Sequence, residues 1–422
     1  MIKKMYYGWI VLAGAAFVYM VEAAVIVYPF GLFLPAIVEE TGWSRGAVSV
    51  APALTYFLGA VFTPFGGMFV AKYGPRRSII IGGALSSLAM LLMYKLASPW
   101  QLYLAYGGFV ALGLALAGLV PTTTLANNWF VEKRSLALGI ITASGSLGAL
   151  LFIPAVAFLI AGVGWRYAYL LLCPTVLILM VLMPGIIIRN SPDDAGEPHK
   201  GGHDKAARNP ASLGRADDAL LPRNFTLGEA IRTSRFWLLA CTWGIVMFSF
   251  SMMATHTVAH LLDTGLDAGV AAMIFSFIPG MSVVGKLGSG FLGLKFNTRI
   301  IALFSVALFA VAMGIVITTS SVPLFFTAAI LMGLGFGGAL TSFIDCVPAF
   351  FGSKNNAKIM SICVPITMIL GGGGPPFAGF FFDATGSYII PFTTVLGLLV
   401  LAFGLLALAR PPAVPEHQTV RV

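Results

Sequence analysis

The chain has 422 residues, 58% hydrophobic and 10% charged, with a mean hydropathy of +0.93 and a formal net charge of +9. Ordinary soluble domains carry roughly 25% charged residues, so this composition excludes a single globular core, whereas a bilayer absorbs it as solvent for the outer faces of helices. The long continuous apolar runs also exclude a membrane β-barrel, whose segments are short and alternating.

With about 20 mainly apolar residues needed per crossing, twelve spans are predicted, at roughly 7–36, 46–70, 78–95, 100–126, 135–161, 166–188, 236–262, 269–294, 299–319, 322–349, 357–382 and 386–409. The 48 Gly and 24 Pro are concentrated in these spans, as suits close-packed, bending membrane helices. The fold class expected is an all-α membrane protein of twelve transmembrane helices.

Span one follows Met1-Ile-Lys-Lys without a small-residue cleavage site, so it is expected to stay as a helix and not be removed as a signal. Midway along it lies Glu22, between Met20-Val21 and Ala23-Ala24. A carboxyl taken out of water binds its proton more readily, which makes Glu22 a candidate proton carrier. A hydrogen bond to a neighbouring helix, a salt bridge to Lys286, and a lipid-facing side chain reaching for the interface are the alternatives. Span four offers Thr122-Thr-Thr and Asn127-Asn128. The hydroxyls of Thr122 and Thr123 can hydrogen-bond a carboxylate, or bond back to their own helix. Cys173, Cys241, Cys346 and Cys363 have neither metal-ligand nor Cys-x-x-Cys spacing and are expected to be buried small hydrophobes.

The one long polar stretch runs from Arg189 to Arg235. Its core, from Asn190 to Lys205, reads as a solvated linker, with His199 and His203 there as a weaker metal candidate. The later part, from Thr226 to Trp237, reads as a short amphipathic helix on the membrane surface. Four units follow: residues 1–188 as a six-helix bundle, 189–235 as the central loop, 236–409 as a second six-helix bundle and 410–422 as a tail.

In span seven, His256 and His260 stand one turn apart; no third ligand accompanies them, so no metal is expected. His256, the deeper of the two, is a candidate outer-gate or proton-sensing group, and His260 is expected at the interface. Lys286 is the one basic residue well inside a span, in the run Ala271–Leu294, whose other polar side chains are serines. An ammonium held in a bilayer costs at least about 2.5 kcal/mol and marks a functional site by default. Snorkelling towards Lys295 is the alternative, but nine residues of helix are about 13 Å, more than a lysine stem covers comfortably. Asp345, near the end of span ten, is expected to pair with Lys354, Lys358 or a helix end.

Loop charge sets the orientation. With the N-terminus inside, the inner segments hold Lys3, Lys4, Lys72, Arg76, Arg77, Lys133, Arg134, the central-loop cations, Lys295, Arg299, Lys354, Lys358, Arg410 and Arg421. The outer ones hold Arg45, Lys95 and Arg166 with Glu39, Glu40, Asp263, Asp267 and Asp383. That asymmetry accounts for the positive charge without a nucleic-acid partner, and both termini are expected in the cytoplasm.

The halves repeat each other. Gly113–Arg134 overlays Gly333–Lys354 without a gap, and Gly67-Met-Phe-Val-Ala-Lys-Tyr-Gly-Pro-Arg-Arg after span two matches Gly290-Phe-Leu-Gly-Leu-Lys-Phe-Asn-Thr-Arg after span eight. Six spans per half make the repeat parallel, enclosing a midplane cavity that rocking of one bundle opens to either side. On this match the counterpart of Lys286 is the uncharged Thr63.

The loop after span two resembles the signature of the major facilitator superfamily, Gly-x-x-x-Asp-Arg/Lys-x-Gly-x-Arg-Arg. Gly67, Lys72, Gly74, Arg76 and Arg77 match, while Ala71 stands at the acidic position. In that family the motif latches the cytoplasmic side, so these five are the expected cytoplasmic gate, weakened by Ala71. Tyr7-Gly-Trp, Phe30-Gly-Leu-Phe, Thr41-Gly-Trp-Ser-Arg, Trp129-Phe-Val-Glu-Lys-Arg-Ser-Leu-Ala-Leu-Gly and the run from Gly374 to Tyr388 resemble the monocarboxylate-porter and oxalate/formate-antiporter branch. The resemblance implies two pseudo-symmetric bundles and a span-eight cation, here Lys286, that pairs with the substrate carboxylate. It also implies a pocket lined by Tyr28 and Phe33, with Leu119 and Leu340 where the branch has tyrosines. A second cationic position on span eleven falls at Val364-Pro365.

The expected function is secondary transport of an organic anion, a monocarboxylate, by rocker-switch alternating access in the plasma membrane, or cell inner membrane. H⁺ symport is favoured over exchange because Glu22 and His256 titrate. Efflux of other metabolites or drugs, and a transporter-fold sensor, are the alternatives. No cofactor is expected. Nucleotide-driven transport lacks a Gly-x-x-x-x-Gly-Lys-Ser/Thr loop, and an enzyme lacks a nucleophile–base pair or metal cluster.

Overall fold

The computed structural model describes residues 6–130, 133–196, 224–352 and 354–409. Lys3, Lys4, His199, His203, Arg410 and Arg421 lie outside the described residues. All regular structure among the described residues is helical. The membrane-crossing helices are α1 (Tyr7–Thr41), α2 (Arg45–Tyr73), α3 (Pro75–Tyr94), α4 (Pro99–Trp129), α7 (Ser234–Asp263), α8 (Ala268–Leu292), α9 (Thr298–Thr318), α10 (Val322–Phe351), α11 (Lys358–Thr385) and α12 (Ile389–Leu408). Between them Leu136–Ile187 is one apolar stretch of 52 residues, too long for a single crossing. Gly164, at φ 80° and ψ 158°, breaks it into α5 (134–163) and α6 (165–187), a conformation that glycine adopts without a Cβ penalty. The result is an integral, multi-pass membrane protein of twelve helices.

Sequence chemistry sets the helix ends. Ser44 accepts from the Ala47 amide to start α2, and Thr233, Asp267 and Asn297 do the same for α7, α8 and α9. A short helix, Leu227–Ile231, precedes α7, closed by a reciprocal Thr226–Glu229 capping box.

Small residues let the backbones approach where bilayer lipid gives no hydrophobic drive for association. A Cβ on Gly66 of α2 would stand 2.3 Å from the Ala115 carbonyl of α4, and one on Gly285 of α8 would stand 2.4 Å from the Leu334 carbonyl of α10. The α2–α4 and α8–α10 pairs therefore pack by the same device. Gly333 and Gly337 press α10 against Ile278 and Ser282, which fixes the face of α8 that carries Lys286. Of the four cysteines, only Cys346 and Cys363 are buried; Cys173 on α6 is half-buried and Cys241 on α7 is exposed, where lipid accepts an apolar side chain as readily as a core does.

Candidate functional site: a central cavity sealed at one end

Residues 6–188 and 224–409 meet along α1–α7, α2–α11 and α5–α8. Between them lies a cavity of about 470 Å³ lined from both sides. Its walls are largely apolar, with Leu119, Leu340, Met247, Met368, Phe250 and Phe336 among them. Phe250 and Phe336 stack at 3.6 Å, and Tyr28 stands edge-on to Phe250 at 6.3 Å.

Lys286 enters this wall from α8. Its Nζ donates to Ser146 Oγ of α5 at 2.8 Å, across the interface between the halves. Ser282 Oγ lies 3.1 Å from Ser146 Oγ and donates to the Pro279 carbonyl at 2.7 Å. Ser146 Oγ is the acceptor in both contacts, and Ser282, with one hydrogen, shares it between Ser146 and the Pro279 carbonyl. The ammonium has further donors and no acid beside it. The side chain does not snorkel towards Lys295; it is turned into the cavity.

Glu22 reaches the same cavity from α1, at the start of a π-helical stretch over Glu22–Val27. It is 3% exposed, and its Oε1 has no hydrogen-bond partner. The carboxyl lies against Gly118, where α4 breaks from helical geometry (ψ −142°); a Cβ there would stand 2.9 Å from Oε2. Glu22 and Lys286 form no ion pair, neither side chain having any partner beyond those given. The lipid-facing alternative is likewise excluded.

Tyr28, Leu119 and Leu340 lie on the cavity wall. Phe33 does not: it is buried inside the first half, stacked on Tyr169 at 3.9 Å. The wider π turns and the turn at Tyr28-Pro29 rotate the rest of α1, so the position the resemblance implies for Phe33 in the pocket falls inside the first half. Thr122 and Thr123 also lie off the wall, their hydroxyls bonding back to Gly118, Leu119 and Val120 carbonyls. The break at Gly118 leaves those carbonyls at a helix start, where a hydroxyl one turn later reaches them. Sequence reasoning missed Tyr19, Tyr56, Tyr106 and Ser146 on the wall. Tyr19 alone had a signal, being three residues before Glu22 and hence on its face.

His256 is outside the cavity, fully buried at the end of the molecule that carries Arg45. Its Nε2 is 2.8 Å from the Pro375 carbonyl and 3.1 Å from Ser49 Oγ, and its Nδ1 is 2.9 Å from the Tyr388 hydroxyl. A carbonyl only accepts, so Nε2 carries the hydrogen and Nδ1 accepts from Tyr388. That hydroxyl in turn accepts from Arg45 Nη1 at 2.9 Å. Arg45 also grips Asp263 with both terminal nitrogens, at 2.6 and 2.8 Å, and lies over the Phe382 ring at 3.9 Å. Asp383 accepts from the Arg45 and Gly46 amides at 2.9 and 2.8 Å. Every one of these Arg45, Gly46 and Ser49 contacts joins the two halves. His260, half-buried in the last turn of α7, packs edge-on among Phe325, Tyr388 and Phe392.

At the opposite end the motif residues hold their own half together. Arg76 donates through Nη2 to the Gly185 carbonyl and through its amide to Asn190 Oδ1, while Arg77 is exposed and Lys72 lies 5.1 Å from the Tyr73 ring. Gly74 takes φ 84° beneath Asn190, and a Cβ on Gly67 would meet nothing within 4 Å.

A family model described as Major Facilitator Superfamily matches residues 11–289. Monocarboxylate transporter 13 of Bos taurus is 25% identical over 404 residues, 95% of this chain and 88% of its own. The oxalate:formate antiporter of Oxalobacter formigenes is 29% identical over 245 residues, 58% of this chain and 53% of its own. Among solved structures, a bacterial homologue of the human lysosomal transporter Spinster, in an inward-facing and occupied conformation, superposes with a TM-score of 0.76 at 16% identity, covering 96% of this chain and 97% of that one. A variant of the nucleoside transporter NupG gives 0.74 at 13% identity, covering 96% and 100%.

Proposed function

The chain belongs to the Major Facilitator Superfamily of transporters, and on that premise we propose that it carries an organic anion, a monocarboxylate, bound through Lys286. The observation that carries this is the lysine itself: an ammonium in an apolar cavity between the halves, with one serine hydroxyl as its partner and no acid. A buried cation without a counter-ion is strongly disfavoured, and a carboxylate supplies both the charge and the acceptors. One cation suits one carboxylate. The names of the relatives, a monocarboxylate transporter and an oxalate:formate antiporter, support the same substrate class.

The asymmetry of the ends supports alternating access. The Arg45 cluster closes one mouth. With the basic loops and both termini on the cytoplasmic side of the plasma membrane, that mouth is the outer one and the cavity faces inward. Arg45, Asp263, Tyr388 and His256 then form the outer gate, and Gly67, Lys72, Gly74, Arg76 and Arg77 the inner gate, disengaged in this state. Glu22, partnerless and buried on the cavity wall, carries the coupled proton in symport.

Transport by purified protein in proteoliposomes tests this. Lys286→Ala is expected to lower carboxylate uptake about 100-fold, the scale of losing one partner of a buried charge pair; unchanged uptake would refute the anion site. Glu22→Gln is expected to keep carboxylate exchange and lose proton co-movement. The aromatic wall formed by Phe250 and Phe336 favours a second reading, export of apolar metabolites, which the same vesicles distinguish by flux that is independent of Lys286.

A further inference from the structure

Most polar side chains of the cavity are already spent on the protein. Thr55 donates to the Tyr106 carbonyl, Thr63 to Gly59, Thr142 to Leu138, Ser251 to Gly371 and Thr255 to Ser251, while the Tyr106 hydroxyl pairs with that of Tyr169. Ser146 is used twice, between Lys286 and Ser282. The groups with unused capacity are Lys286, Glu22 and the hydroxyls of Tyr19, Tyr28 and Tyr56, all on the wall and none of these hydroxyls hydrogen-bonded. They are not scattered. Tyr19 and Glu22 share a face of α1 and line the cavity together with Tyr28 and Tyr56, all from the same half. One half of the protein thus presents a contiguous acceptor-rich patch, and the other presents a cation, with the Phe250–Phe336 stack on the wall of the same cavity.

A plain alkanoate or arylalkanoate would satisfy Lys286 and leave Glu22 Oε1 orphaned, a costly state for a buried acceptor. We propose that the substrate is a monocarboxylate with an apolar or aromatic body and a second polar group, a hydroxyl or amine hydrogen-bond donor, which the Glu22 carboxyl receives, with Tyr19 and Tyr28 on the same wall. Glu22 is then a specificity-determining residue. This is compatible with proton coupling, because a protonated carboxyl keeps acceptor capacity on its other oxygen. The proposal rests on carboxylate binding at Lys286 and adds what lies at the far end of the ligand.

The test is equilibrium binding to the full-length purified protein of matched compounds: 3-phenylpropionate, its 4-hydroxy derivative, and its 4-methoxy derivative, which has the added oxygen without the hydrogen. A site built to hydrogen-bond a donor rejects the analogue that lacks one, so the 4-hydroxy compound is expected to bind at least about tenfold more tightly than the other two. In Glu22→Met, which conserves shape, the gap between the 4-hydroxy compound and the other two is expected to close. Equal binding of all three to the native protein, which needs no variant to fold, overturns the donor site; so does a preference that survives Glu22→Met. Lys286-dependent binding without donor preference sinks this proposal alone. Binding of none of the three, or binding that survives Lys286→Ala, sinks the anion reading with it.

Discussion

The two ends of this molecule are built from similar materials and wired differently. At the Arg45 end, a guanidinium, two aspartates, a tyrosine and, through Ser49, a histidine bond across the interface between the halves. At the Lys72 end, Arg76 bonds to Gly185, Arg299 to the Leu406 and Ala407 carbonyls, Trp129 to Arg189 and Asn355 to Phe225, each within its own half. Glycines follow the same division: a Cβ on Gly46 would lie 2.3 Å from the Phe380 ring of α11, whereas on Gly67, Gly139, Gly288 or Gly290 it would meet nothing within 4 Å. A latch between two halves is therefore recognised by which half its partners belong to, more than by the charges it contains.

The largest expected way to break this contrast is Arg45→Ala. It removes the bidentate pair to Asp263, itself partly exposed, and leaves the Tyr388 hydroxyl without its donor. A cysteine placed at Thr55 in a cysteine-free background is expected to react about three- to tenfold faster with an impermeant thiol reagent added at the Arg45 side; an unchanged rate would show that this cluster does not hold the mouth shut. A smaller effect separates Gly46→Ala from Gly67→Ala. The former forces a methyl into Phe380 and Asp383 and is expected to cost about 1–3 kcal/mol of stability, while the latter is expected to stay within about 0.5 kcal/mol. Equal melting shifts for the two would erase the difference between the ends.

The crossing helices were legible in the sequence because bilayer crossing depends on length and hydropathy, which are local. Lys286 was legible for the same reason, as a charge inside an apolar run. The partners of Lys286 and His256 were not. Ser146, Tyr388 and Pro375 lie more than a hundred residues away from them, and nothing in a single sequence marks one serine among many as the acceptor. Phe33, placed on the pocket by resemblance, lies inside the first half beyond the π turns of α1, and Thr122 and Thr123 take the alternative of bonding back to their own helix. Glu22 was visible as an intramembrane acid, but its isolation from Lys286 needed the three-dimensional arrangement.

The most direct measurement is equilibrium binding of a radiolabelled monocarboxylate to the purified protein and to Lys286→Ala and Lys286→Arg. Saturable binding that is lost by about 100-fold in the alanine variant and largely retained in the arginine one is the predicted result, since the cation and not the lysine's shape holds the carboxylate. Binding of equal strength to the native and alanine proteins would contradict it.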